Sequence, residues 1–357
     1  MPGLFYLYIN ALNGYGPCYT SSQRVSCESG ATDVPNLHKA GKFPRFDRGG
    51  LLQNTVKSSV TFVGQGLHSG AAVRLVVRPA SADYGIWFRR TDLATGDTLI
   101  PARWDAVVPS RLCTLIANAS GASVSTIEHL MAALAGLAIN NALIEIDGPE
   151  VPILDGSAAP FVAAILARGI QPQAAPTRAI RVLKTVEVRD GEALARLEPA
   201  EMLEIDFRID FADRAIGRQS RRLNMSNGAF VRELSDSRTF CRQSDVDAMR
   251  AKGLALGGTL ENAVVFEGDK ILSPGGLRYR DEPVRHKMLD ALGDLSLAGA
   301  PLLARYTGIR AGHALTNRLL RTLFATPGAM MLDDCDFLAG GKLPGVGVLP
   351  RDLPAFA

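Results

Sequence analysis

From Thr55 onward the chain writes strands first and helices afterwards, and it does so twice. In the first pass, apolar alternation predicts strands over 56–63, over 72–77 through Val73, Leu75 and Val77, and over 85–89, with a short one over 111–116. A helix over 125–137 follows, then a strand over 141–146 and a helix that opens near Asp155 and stops near Gly169. Ser125 and Glu128 have the spacing of a capping box. Pro172-Gln-Ala-Ala-Pro-Thr177 reads as a linker. Beyond it the pattern restarts, with strands over 180–188, 193–199 and 203–209, helices over 227–234 and 283–297, a strand over 302–307 and a helix over 314–324. Runs of strands followed by helices predict α+β layers rather than a doubly wound sheet. The repeated order predicts a structural duplication without sequence repetition, with domains at 53–174 and 175–357. Residues 1–52 have no sustained period and are expected to be a disordered leader or an upstream-misread start.

Composition narrows the function classes. A net charge of +3 over 357 residues gives no electrostatic footprint for a nucleic-acid binder, while leaving an anionic small substrate open. No run approaches the roughly 18–20 apolar residues that span a bilayer. The first twelve residues lack a basic n-region and a cleavage site. Five cysteines (18, 27, 113, 241 and 335) form no CxxC pair and read as free thiols of a reducing compartment. Histidine is confined to positions 38, 68, 129, 286 and 313, so any imidazole-based metal site draws on a short list.

The chemistry concentrates in Asp281-Glu-Pro-Val-Arg-His-Lys-Met-Leu-Asp-Ala-Leu-Gly-Asp294. On a helix, His286 and Asp290 stand four residues apart and can grip one ion, and Asp294 continues the stripe with Lys287 beside it. Glu128-His129, taken alone, is more simply a capping acid and a core histidine. Joined to His286-x-x-x-Asp290, it completes a three-ligand set with an open fourth position, as a catalytic zinc site requires, and Glu128 becomes a base for water. His313 is either a residue of a helix start or a cationic donor supported by Asp294. Thr239 and Phe240 would add a hydroxyl and a ring to a substrate wall, although Thr-Phe is also ordinary strand content. The amphipathic segment 244–256 would line an apolar channel with Val246, Met249, Leu254 and Leu256, or simply pack on its own sheet.

Ser125-Thr-Ile-Glu-His-Leu130, Pro152-Ile-Leu-Asp-Gly-Ser-Ala-Ala-Pro-Phe161, Arg238-Thr-Phe240, Val284-Arg-His-Lys-Met-Leu-Asp290 and Gly312-His-Ala-Leu315 together resemble the UDP-3-O-acyl-N-acetylglucosamine deacetylase family. Its members catalyse the committed, zinc-dependent step of lipid A biosynthesis. The likeness runs from about residue 54 to the C-terminus. It implies an α+β fold of two two-layer sandwiches of similar topology, helices packed between outer sheets, one insert per domain, and a site at the domain interface. It implies one catalytic Zn2+ held by His129, His286 and Asp290, with Glu128 as general base, His313 supported by Asp294 as cationic acid, and Thr239 at the oxyanion. Lys287 and Arg310 would face the diphosphate, Phe240 the sugar or nucleotide, and Cys113 would lie near the metal. The insert after Thr239 would form the acyl passage, made more polar than expected by Cys241-Arg242-Gln243. His68, in Gly66-Leu-His-Ser-Gly70, is expected to be structural or peripheral. The implied partner is UDP-3-O-acyl-N-acetylglucosamine, without nucleic acid or a transmembrane segment, in a cytoplasmic monomer.

Overall fold

The computed structural model describes residues 51–110, 112–335 and 341–354, so the leader reading, with Cys18, Cys27 and His38, falls almost wholly outside the described residues. The described residues lie in one compact unit. Two sheets carry it, one of five strands and one of seven, and five strands of the second repeat the connectivity of the first. In the first, Val60–Gln65 pairs with Ala72–Pro79, which pairs with Ala142–Ile146; that strand runs parallel to Ile86–Arg90, whose other neighbour is Leu99–Pro101. In the second, Val186–Asp190 pairs with Ala193–Pro199, which pairs with Leu302–Ile309; that strand runs parallel to Glu204–Asp210, whose other neighbour is Arg218–Asn224. Both orders place a late strand in the middle of the sheet, reached by a helical crossover.

Six α-helices are described: α1 (Glu128–Gly136), α2 (Ala159–Arg168), α3 (Ala229–Glu233), α4 (Gln243–Arg250), α5 (Glu282–Ser296) and α6 (His313–Ala325). The crossover helices are α1 in the first sheet and α5 in the second, and they pack directly on each other. Helix α5 also contacts Glu204–Asp210 and α6 contacts Val186–Asp190, while α2 contacts Val60–Gln65. Inward-facing Leu75, Val77 and Ile144 of one sheet and Ile205, Phe207 and Tyr306 of the other join Leu130, Phe161, Leu289 and Leu319 of the helices in one continuous apolar core. Each set has an insert. The first is a small sheet of Val107–Val108, Leu115–Ala117 and Ser123–Val124; the second is Phe240–Arg242, Val264–Glu267 and Lys270–Ile271 with α4.

Several local expectations are corrected. The expected linker at 172–177 is largely strand: Ile170–Pro176 pairs antiparallel with Leu52–Val56, an edge position where Pro172 and Pro176 need no amide donor. The runs 56–63 and 180–188 are each broken in two by a short non-strand segment, giving Leu52–Val56 and Val60–Gln65, then Arg178–Val182 and Val186–Asp190. The capping box is not formed. Thr126 takes a left-handed φ of 56°, Ser125 Oγ donates to the Pro149 carbonyl, and α1 starts only at Glu128. Arg218–Asn224 lacks an apolar signal because it alternates exposed polar residues with half-buried Gln219, Arg221 and Leu223.

Candidate metal centre and active site

The site is built where α1 meets α5. Glu128 and His129 begin α1, delivered by the left-handed turn at Thr126. Thr126 Oγ1 donates to Glu150, whose carboxylate also accepts the amides of His68 and Ser69. Helix α5 starts with Glu282 and Pro283 in its first turn, where a carboxylate and a missing amide donor both suit the orphan N–H groups. His286, Asp290 and Asp294 then recur every four residues on one buried stripe.

Close approach of the helices depends on Gly293, where a Cβ would lie 2.1 Å from the Glu128 carbonyl oxygen. The contact brings His129 to Asp290, with Nε2 and Oδ1 3.6 Å apart, while His286 Nε2 lies 3.3 Å from the same oxygen. One ligand atom from each of the three residues falls within 4.8 Å of the others, and all three residues are buried. His286 Nδ1 is 2.9 Å from the Ser237 carbonyl oxygen. A carbonyl only accepts, so Nδ1 carries the proton and Nε2 turns a lone pair toward Asp290. Burial pushes the His286 imidazolium down to about 4, against the pull of Asp290, so the ring is neutral near pH 7. Burial opposes ionisation of Asp290, but His286 and Lys287 outweigh it and hold the carboxyl well below the usual range. Asp290 Oδ2 accepts from Lys287 Nζ at 2.8 Å, whereas the buried Oδ1 has no hydrogen-bond partner. A buried anionic oxygen facing an imidazole lone pair is repulsive unless a cation lies between them. The donor set therefore fits a divalent metal ion.

Two further groups flank the triad. Burial raises the Glu128 carboxyl above its ordinary value, partly offset by His313 and His129. Its Oε2 accepts the Thr114 amide at 3.0 Å, and its Oε1 lies 3.7 Å from His313 Nε2. His313 Nδ1 is 2.9 Å from Asp294 Oδ2. Burial works against a charged His313, but Asp294 and Glu128 prevail and raise it to about 9, leaving a cation at neutral pH.

A cavity of about 850 Å³ opens onto these groups. Glu128, His129, Thr239, Phe240, His286, Lys287, Asp290 and His313 all line it, and Val246, Met249 and Leu254 extend it along the α4 insert. Leu256, expected in that channel, instead sits against Gly70 and does not line the cavity. His68 reaches the lining. Cys113 is buried beside Ser110, its thiol pushed up to about 11 by burial and then by Glu128, and it does not line the cavity. Arg310 is also outside it, paired with Glu192 and Asp210 in a separate exposed groove. Arg242, from the run expected to make the passage more polar, lines the cavity while pairing with Asp245 at 2.7 Å.

Sequence reasoning did not single out Thr114, Ser237 or the Arg238–Glu282 pair. Ser237 acts through its backbone carbonyl, which leaves no residue-type signal. Glu282 reads from sequence as a first-turn acid, yet it is fully buried and accepts from the Arg238 amide, the Arg238 guanidinium and the Arg278 amide.

A sequence model of the family described as UDP-3-O-acyl N-acetylglycosamine deacetylase matches residues 53–325. The chain belongs to that family. The matched span contains every residue of the triad and its flanks. Among curated members, UDP-3-O-acyl-N-acetylglucosamine deacetylase of Phenylobacterium zucineum (strain HLK1) is 52% identical over 279 residues, covering 78% of this chain and 95% of that protein. The enzyme of the same name from Anaeromyxobacter sp. (strain Fw109-5) is 49% identical over 276 residues, covering 77% and 90%. That of Shewanella violacea is 47% identical over 284 residues, covering 79% and 92%. The family's α+β architecture is the one described above. No helix among the described residues is long and apolar enough to cross a membrane.

Proposed function

We propose that the protein is a zinc-dependent deacetylase that hydrolyses the N-acetyl group of UDP-3-O-acyl-N-acetylglucosamine, releasing acetate and the free 2-amino sugar in the committed step of lipid A biosynthesis. The observation that carries this reading is the convergence of Asp290 Oδ1 with the His129 and His286 Nε2 atoms, beside a carboxylate and a cationic imidazole in one cavity. Zinc held by His129, His286 and Asp290 would supply Lewis acidity to the amide carbonyl and to water. Glu128, with its proton affinity raised by burial, takes the proton from the attacking water. The Thr239 hydroxyl and the His313 cation face the developing oxyanion, and a proton from the acid–base pair lets the amine leave. Lys287 offers its charge to the diphosphate and Phe240 its ring to the sugar or nucleotide. Arg310 would reach the diphosphate only by leaving Glu192 and Asp210. Val246, Met249 and Leu254 line the path we assign to the acyl chain. Residues 53–174 and 175–357 are read as the two domains that bracket the site. A cytoplasmic setting accords with the reduced thiols of Cys113 and Cys241.

The test is turnover of the acylated UDP-sugar by purified protein before and after chelation. Acetate release that stops with the chelator and returns with zinc is expected. His129→Ala should lose bound metal and turnover together; wild-type turnover in that variant would sink the assignment. Hydrolysis of a different acylated amino sugar, with none of the UDP compound, would move the substrate class.

A further inference from the structure

Thr114 touches both halves of the acid–base machinery. It is buried at the end of the segment that leads into strand Leu115–Ala117. Its amide donates to Glu128 Oε2 at 3.0 Å, and its hydroxyl donates to Asp294 Oδ1. The other oxygens of those two carboxylates face His313: Asp294 Oδ2 lies 2.9 Å from Nδ1 and Glu128 Oε1 lies 3.7 Å from Nε2. Thr114, Glu128, His313 and Asp294 thus close a ring drawn from four separate stretches of chain. Both carboxylates are buried, and like charges in a dry site separate or rotate unless donors pin them. Thr114 donates to both, whereas the imidazole is within hydrogen-bond distance of Asp294 alone.

We propose that Thr114 is a positioning residue: it fixes the spacing between the base Glu128 and the Asp294–His313 pair. Its hydroxyl sets the rotamer of Asp294, and Asp294 in turn aims the imidazole into the cavity. The two arms are separable, because a side-chain substitution removes the hydroxyl and leaves the amide on Glu128. Thr114→Val is close to isosteric and leaves Asp294 Oδ1 buried without its donor.

The kinetic arm rests on the deacetylase reading; the spectroscopic arm does not. In Thr114→Val, kcat is expected to fall at least tenfold with KM within twofold, because the acyl and nucleotide contacts are untouched. In 15N-histidine-labelled full-length protein, the His313 ring resonances should shift while those of His129 and His286 stay in place. Thr114→Ser should restore both readouts. If Val perturbs folding, judged by thermal melting, Thr114→Ala removes the same hydroxyl without added bulk and carries the same expectations. Wild-type kcat with unmoved His313 resonances in the Val or Ala variant overturns the proposal, as does a loss that Ser fails to restore. An inactive wild-type protein with Thr114-dependent His313 resonances would remove the substrate assignment and keep the positioning role.

Discussion

Gly293→Ala sets two effects of opposite sign against each other. Gly293 lies inside α5, where alanine is favoured over glycine by about 0.8–1 kcal/mol, so helix propensity alone predicts a more stable protein. The structure predicts the reverse. An added Cβ would sit 2.1 Å from the Glu128 carbonyl oxygen and 3.1 Å from Glu128 Cα, and no rotamer can relieve a clash with backbone. Restoring an ordinary contact requires α1 and α5 to separate locally by about 1 Å. Overpacking of this kind costs about 1–3 kcal/mol, which exceeds the propensity gain over most of its range. The functional cost is larger, because Glu128 and His129 ride on α1 while His286, Asp290 and Asp294 ride on α5. A misplacement of about 1 Å lowers turnover by about 10²-fold. Parting the ligands weakens metal binding as well, by about 10–100-fold, the scale for perturbing a metal site's supporting shell. Thermal melting, zinc competition titration and kcat measured on one preparation test all three statements. A variant that melts higher, binds zinc as tightly and turns over within twofold of wild type would refute the idea that the α1–α5 approach sets the site.

Glu128→Gln should keep the metal and lose turnover by at least about 10²-fold, the size of a general-base effect; near-normal acetate release would remove Glu128 from that role. Glu282→Ala strands the buried Arg238 guanidinium and should destabilise the fold by about 3–5 kcal/mol in urea unfolding, against under 1 kcal/mol for an exposed pair. The pH profile of kcat/KM should be bell-shaped. His313 is charged below its raised value of about 9, so activity falls as pH rises through 9; Glu128 must be ionised, so activity also falls on the acid side, above the ordinary carboxylate range. A His313→Gln variant that retains the alkaline limb would reassign it.

The α5 half of the candidate metal centre was legible because helix periodicity is a strong local signal: His286 and Asp290 had to share a face once the segment was helical. The α+β class was legible for the same reason, since strands and helices announced their periods in the right order. What the sequence concealed was the geometry that depends on backbone alone. The left-handed turn at Thr126 looked like part of a capping box, because Ser125 and Glu128 had the residue types and spacing for one. Glu128 is instead claimed by the Thr114 amide, fourteen residues upstream, and an amide donor has no residue-type signature. Gly293 reads as a modest cost inside a helix and is in fact the contact that lets α1 and α5 approach so closely. The strand Ile170–Pro176 was concealed by its prolines, which suggest a linker until the partner Leu52–Val56 shows that it lies on an edge.

The matching connectivity of the two sheets explains why the site lies where it does. In each, a helix returns the chain from the fourth strand in sequence, past the insert, to the central one, and α1 and α5 are those two equivalent helices. Packing equivalent helices against each other puts corresponding faces in contact, so a polar residue on either face is buried against its counterpart. Such a seam tolerates ionisable groups only if each has a partner. Here the two faces have diverged: α1 supplies one carboxylate and one imidazole, and α5 supplies an imidazole and two carboxylates. The surplus negative charge is met by Lys287 and the His313 cation, which leaves Asp290 Oδ1 as a buried carboxylate oxygen of the seam without a donor. Changing Asp290 to Asn should therefore uncouple metal from fold: the amide can donate to a histidine Nε2, so stability in the absence of metal should rise or hold while metal affinity collapses. Melting temperature with and without zinc separates these. Unfolding of the metal-free Asp290→Asn protein at a lower temperature than metal-free wild type would show that the seam is not held in deficit for a cation.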